Sequence, residues 1–283
     1  MTDRSAQRGA EFRIGSVISK GVSTYFRNFF TFLILSIVAF LPAIVIGIVF
    51  GAMLMNMERA VTSEQEISTG AIIGIVLLVL AFVLGWLWMS ASITYGVIAS
   101  LRQGGINLGQ AIATSFRAVV PLLGLGAIVT LLFAAMALLI FIPVAGIFLV
   151  LGLGGYLMVR WWVAIPALVV ESIGPIRALS RAAELTKGCR WAVLGVIVLW
   201  GLVAGITGVA ISAVLSLALG LPMGMEETAA VDLGTGGIVL QVVSGIVDII
   251  FGGLGASVVA VGYHDLRIAK EGGDTEQIAQ AFD

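Results

Sequence analysis

Residues 160–191 read RWWVAIPALVVESIGPIRALSRAAELTKGCRW. A long apolar run stops there at Glu171, a helix-forming elbow carrying Arg177, Arg181, Lys187 and Arg190 follows, and a second apolar run starts at Trp191. A span, a turn, a short amphipathic helix and another span form a unit that only a bilayer makes sensible. The bilayer forces a crossing segment to satisfy its own backbone, and it lets an amphipathic helix lie in the head-group layer.

Composition extends this reading to the whole chain. Of 283 residues, 60% are hydrophobic and 11% charged, and the mean hydropathy is +1.13, against roughly a quarter charged in soluble proteins. No segment combines enough charge with apolar alternation to build a separate soluble domain, so residues 1–283 are assigned to one polytopic, all-α membrane domain. The single cysteine, Cys189, lies in the cationic elbow, excludes an internal disulfide and reads as a small packing residue.

From the elbow outward, the apolar runs place six membrane helices at 29–55, 71–100, 119–142, 144–170, 191–219 and 237–263. The run from Ala118 to Val159 has no charge and Pro143 near its middle; it is about twice the roughly 20 residues a crossing helix needs, so it reads as two helices joined by a tight turn. The N-terminal segment carries Arg4, Arg8, Arg13, Lys20 and Arg27 against Asp3 and Glu11. Residues 12–27 within it present Ile14, Val17, Ile18, Val22 and Tyr25 on one face and read as an interfacial helix. A signal peptide is excluded by the long uncharged run that follows. The loops holding Glu58, Glu64 and Glu66 and then Glu226, Glu227 and Asp232 are acidic and belong outside. Both termini, the elbow and the tail 264–283 belong in the cytosol.

Three amphipathic pieces open with an apolar residue and a glycine, Ile14-Gly15, Leu108-Gly109 and Ile173-Gly174, and each precedes an odd-numbered span. A threefold repeat of interfacial helix plus transmembrane hairpin is the simplest account. The alternative is that any cytosolic loop between apolar spans looks amphipathic. In the fifth span Gly201, Gly205 and Gly208 share a face suited to close packing on a neighbour.

The run IPALVVE (165–171), GPIRALSRAAELTKGCRW (174–191) and the terminal YHDLRIAKEG (263–272) resemble the bacterial proteins grouped as the glycerophosphoryl diester phosphodiesterase membrane domain and, more loosely, the YciC-like inner-membrane proteins. The second half of the chain carries these motifs and the first half only the layout. The resemblance implies a multi-helix domain of the cytoplasmic (inner) membrane whose function is unsettled and which in some proteins is fused to a phosphodiesterase. That catalytic domain, with its paired histidines and metal-binding carboxylates, is not among these residues, and one histidine, His264, stands at a helix end.

Chemistry is otherwise sparse. There is no phosphate-binding GxxxxGK[ST] loop, no paired His or Cys at metal spacing and no GxSxG elbow, so no cofactor, metal or nucleic-acid partner is expected. Three groups remain as candidates. Arg177, Arg181, Lys187 and Arg190, with Trp161, Trp162 and Trp191 at head-group level, form either a solvated surface helix or a collar for anionic head groups. Glu171, Asp265 and Arg267 lie at the same membrane face and should meet that elbow. Arg160 and Asp248 are charges within spans; counted back along continuous helices from Glu171 and His264 they lie about 16 Å and about 24 Å deep. Arg160 either pairs with Asp248 or snorkels to the interface. Asp248 is protonated and bonded to a neighbouring helix, or paired, or lies on a proton or substrate path. The reading that follows is a non-enzymatic membrane module, lipid-associated or binding a membrane-protein partner or a second copy of itself. A transporter of a small or lipid-like substrate stands second and a lipid-processing enzyme third.

Overall fold

The computed structural model describes residues 12–60, 69–103, 108–141, 145–218 and 235–280. The cations Arg4 and Arg8 and the acidic residues Glu64, Glu66, Glu226, Glu227 and Asp232, on which orientation was argued, lie outside the described residues.

The described residues form nine α-helices: α1 (Ile14–Arg27), α2 (Phe29–Ala60), α3 (Thr69–Gln103), α4 (Leu108–Ala137), α5 (Ala145–Arg160), α6 (Ala164–Glu171), α7 (Pro175–Thr186), α8 (Arg190–Ala218) and α9 (Thr235–Gln280). A short 3-10 turn, Leu138–Phe141, follows α4. Six apolar segments within them are long enough to cross a bilayer, so the chain is an integral, multi-pass membrane protein.

Helices α3 and α9 organise the packing: α3 touches α2, α4, α6 and α9, and α9 also receives α1 and α8. Burial is concentrated at one end of the bundle, hereafter the elbow end, where α1, α6 and α7 gather. There Phe32, Leu35, Met89, Ile93, Val97, Val258 and Leu266 are all buried, whereas Ile48, Val76, Leu131, Val209 and Val214 toward the other end are exposed. Exposed aliphatic side chains on a spanning helix meet lipid, which is as apolar as they are, so these faces need no protein partner.

Aromatic rings seated on α9 glycines set the close approaches. A Cβ on Gly253 would lie 2.8 Å from the Tyr25 ring, one on Gly252 2.9 Å from Trp86, and one on Gly255 3.1 Å from the indole nitrogen of Trp200. At Gly262 the Trp162 ring already occupies the place a Cβ would take. Each ring comes from a different element, and each needs the missing side chain to reach the α9 backbone. Ser257 adds a hydrogen bond to the carbonyl of Gly21 at 2.8 Å, tying α9 to α1.

Four features depart from the expected layout. The fourth span is two helices, because the backbone turns at 161–163. Pro166 explains the position: it lacks an N–H, and its ring clashes with the carbonyl four residues earlier, that of Trp162. Pro42 and Pro121 remain inside continuous helices, so seating Trp162 on Gly262 adds to the bend. The amphipathic piece after Arg102 is no separate helix but the first turns of α4. Ala111, Ser115, Leu122 and Leu125 are buried in one register across the expected boundary, and this shared face keeps the helix continuous. Helix α9 runs past residue 263 to Gln280, so the tail begins as helix. Gly201, Gly205 and Gly208 approach no neighbour: nothing lies within 4 Å of a Cβ built on any of them.

Candidate functional site

Two groups of charged side chains lie at the elbow end. The first is built on Glu171, the last residue of α6. Ser172 then takes a left-handed conformation (φ 51°) and Gly174 an extended one, and α7 opens on Pro175 at its first turn, where an N–H would have no helical partner anyway. The reversal lays α7 back over α6 through Ala178 and Ala182, which are fully buried. Arg181 is thereby carried onto Glu171, its Nε donating to Oε1 at 3.0 Å and Oε2 at 3.1 Å. The hydroxyl of Tyr263 donates to the same Oε1 at 2.8 Å. Arg181 also donates through Nη2 to Glu271, which accepts Arg267 Nε at 2.7 Å.

The network therefore joins α6, α7 and α9. Asp265 does not belong to it, because it faces α1 and pairs with Lys20 at 3.2 Å. Arg177 and Lys187 are exposed and make no ion pair among the described residues. Lys187 is not on the α7 face at all: it follows the helix with extended backbone, and its carbonyl accepts Lys270 Nζ at 2.7 Å. Tyr263, Glu271 and Lys20 were not singled out from the sequence. The spacing of Tyr263, Arg267 and Glu271, four residues apart on one helical face, was the signal available.

The second group is Arg160 and Arg190. Arg160 ends α5 and Arg190 opens α8. The hydroxyl of Thr186, the last residue of α7, donates to the carbonyl of Arg160 at 3.2 Å, and the carbonyl of Thr186 accepts the amide of Cys189, the neighbour of Arg190. This places Arg160 at the level of the elbow; the depth of about 16 Å assumed a straight helix through 161–163. No ion pair or hydrogen bond joins Arg160 to Asp248. The Nε atoms of both Arg160 and Arg190 are buried without a hydrogen-bond partner. Arg190 lies over the Tyr156 ring, 5.1 Å from its centre, a contact that favours a cation but supplies no acceptor to its Nε.

The three tryptophans are not equivalent. Trp191 is 85% exposed, as a head-group anchor would be. Trp161 and Trp162 turn inward and line cavities. One cavity, about 400 Å³, lies between α3, the α5–α6 bend, α8 and α9, with Trp86, Trp162 and Trp200 as walls and Ser90 and Thr94 as polar points. Another, about 460 Å³, lies between α2, α3 and α9, lined by Phe40, Phe82 and Trp86, with Asp248 at its edge. Asp248 is exposed and has no ion-pair partner among the described residues.

No family model, no curated protein and no solved structure matches this chain.

Proposed function

We propose that the protein is a non-enzymatic module of the bacterial cytoplasmic membrane that associates with anionic lipid, with both termini and the elbow on the cytosolic side. The observation that carries this is the pair Arg160 and Arg190. Both arginines stand at the elbow end of the bundle with buried, unpartnered Nε atoms, and no carboxylate of the described residues is bonded to either. Buried cations require a partner, and Arg matches phosphate geometry better than any other side chain. Helix polarity sharpens the demand, since a cation is favoured at the end of α5 but disfavoured at the start of α8. The exposed Trp191 and the free cations Arg177 and Lys187 extend the same surface toward head groups. In this arrangement α1, the first turns of α4 and α7 form the cytosolic interfacial layer and repeat three times ahead of a hairpin. The likeness of 165–171, 174–191 and 263–272 to the phosphodiesterase-associated membrane domains points to a lipid-linked setting without supplying an activity.

The test is thermal unfolding in neutral detergent with added phosphatidylglycerol or phosphatidylcholine. A ligand that binds only the folded state raises its stability, so phosphatidylglycerol should raise the melting temperature more than phosphatidylcholine. Arg160→Gln with Arg190→Gln should abolish the difference. Equal shifts by both lipids in the unaltered protein would overturn the reading.

A second reading, transport of a small or lipid-like substrate, is favoured by one observation: Asp248 lies bare within a spanning helix beside a cavity. Intramembrane carboxylates of this kind mark ion and substrate paths.

A further inference from the structure

The cavity of about 400 Å³ between α3, the α5–α6 bend, α8 and α9 has a shape and a setting that select a ligand. It extends along the helices, not across them: its walls run from Trp86 to Thr94 on α3 and from Gly252 to Val259 on α9, about 10 to 12 Å of helix at 1.5 Å per residue. Its walls are almost entirely carbon. At its elbow end it is bounded by Met158 and Trp162, the residues two before and two after Arg160, and by Val196, which stands about one and a half turns beyond Arg190 on α8. An apolar slot parallel to the helices therefore ends near the helix termini that carry Arg160 and Arg190, whose Nε atoms are buried without a hydrogen-bond partner.

The slot is an architectural product. Trp86 and Trp200 stand on Gly252 and Gly255 of α9, and Trp162 on Gly262, so three indoles prop neighbouring elements off one helix and leave the space between them. Gly201, on the facing side of α8, contributes no side chain to fill it, and nothing lies within 4 Å of a Cβ built there.

We infer that this slot holds one acyl chain of an anionic phospholipid whose phosphate lies against Arg160 and Arg190. The inference rests on the proposed association with anionic lipid and names where that lipid sits. Charge complementarity selects the occupant: a neutral apolar molecule would leave both buried Nε atoms unsatisfied, and a free phosphate would leave the slot empty.

Photo-crosslinking tests it in the full-length protein in nanodiscs. The probe is phosphatidylglycerol with a diazirine in mid-chain, read by mass spectrometry of labelled peptides, and two variants distinguish the slot from general lipid contact. Gly201→Phe projects a ring into the slot. Gly205→Phe, one turn along the same bare face, does not line it, and neither position has a neighbour to displace, so both fold. Labelling at Ser90, Trp162 and Ala256, which line the slot and are not exposed on the outer surface, is expected in the unaltered protein and in Gly205→Phe. In Gly201→Phe it should fall about tenfold, the change produced by losing roughly 1.4 kcal/mol of chain binding. Labelling spread evenly over the outward residues Leu202 and Ile206, or unchanged by Gly201→Phe, would overturn the inference, as would loss of labelling on addition of millimolar inorganic phosphate with no lipid competitor. The anionic-lipid preference in thermal unfolding is read separately. If it persists in Gly201→Phe while slot labelling never appears, head-group binding stands and the slot assignment fails. If slot labelling is lost in Gly201→Phe but phosphatidylcholine carrying the same diazirine labels equally, the chain site stands and the anionic reading fails.

Discussion

Tyr263 of α9 donates its hydroxyl hydrogen to Oε1 of Glu171, the last residue of α6, at 2.8 Å, and Arg181 of α7 grips the same carboxylate. One acidic group thus holds three helices whose connections are otherwise a short turn and a distant loop.

Removing its charge should be felt. Glu171→Gln leaves Arg181 its ion pairs with Glu271 and Glu184, and with the Arg181 and Glu171 side chains 25% and 18% exposed the loss should be about 1–2 kcal/mol, the lower part of the range for hydrogen bonds to charged groups. Tyr263→Phe should cost about 1 kcal/mol. Because Glu171→Gln turns the charged acceptor of the Tyr263 hydroxyl into a neutral one and Tyr263→Phe removes that bond, the double variant should cost less than the sum. Strict additivity in denaturant titrations in mixed micelles would separate the two residues.

Alkaline pH should act through Tyr25. Its hydroxyl is buried without a partner, and burial pushes its pKa from about 10 up to about 12. Between those values the unfolded chain has released the proton and the folded one still holds it, so stability falls as pH rises from 10 to 12. Tyr25→Phe should reduce the slope over that part of the profile. At neutral pH it should be neutral or gain up to about 1 kcal/mol, since an unsatisfied hydroxyl is removed.

Glycine substitutions should divide by what stands above them. Gly262→Ala places a methyl group where the Trp162 ring lies and should cost about 1–3 kcal/mol, the range for overpacking. Gly205→Ala has open space and should gain up to about 1 kcal/mol from helix propensity. Unfolding midpoints of the two variants provide the check.

Asp248→Asn should leave expression and melting temperature unchanged, because no ion pair is lost. A variant that folds normally but abolishes uptake or efflux in reconstituted vesicles would favour the transport reading over the lipid-association one.

Topology is open to a direct test. Of the 15 Lys and Arg residues, 13 fall in segments placed in the cytosol, while the acidic loops at 56–69 and 226–232 hold one arginine and six carboxylates. Reporters fused into either loop should behave as external; cytosolic behaviour would reverse the orientation of the elbow.

The six apolar runs were legible because a spanning helix announces itself by length, and α1 and α7 because their apolar residues recur at helical spacing. The bend at 161–163 was harder to see: Pro166 resembles Pro42 and Pro121 in sequence, and only the seat of Trp162 on Gly262, a hundred residues away, distinguishes it. The same distance hid the glycine pattern. Gly201, Gly205 and Gly208 have the spacing of a packing face yet meet nothing, while Gly252, Gly253, Gly255 and Gly262, with less regular spacing, each receive a ring. In the charged network, Glu171 and Arg181 were found from position relative to the membrane face. The division of α9 between Asp265 toward α1 and Arg267 toward α7 depends on helix rotation, which composition does not report.

The rings of Tyr25, Trp86, Trp162 and Trp200 all seat on α9, which leaves the ribosome after every element that carries them. Synthesis proceeds from the N-terminus, so α1 reaches its seat on Gly253 only after every intervening helix has been inserted. Until then the four aromatic side chains lack their seats on α9, and the carbonyl of Gly21 lacks the Ser257 hydroxyl. The bundle is therefore closed by α9, as an arch is by its keystone, and a chain truncated before residue 252 should remain inserted yet unsealed, exposed to the proteases that police membrane proteins.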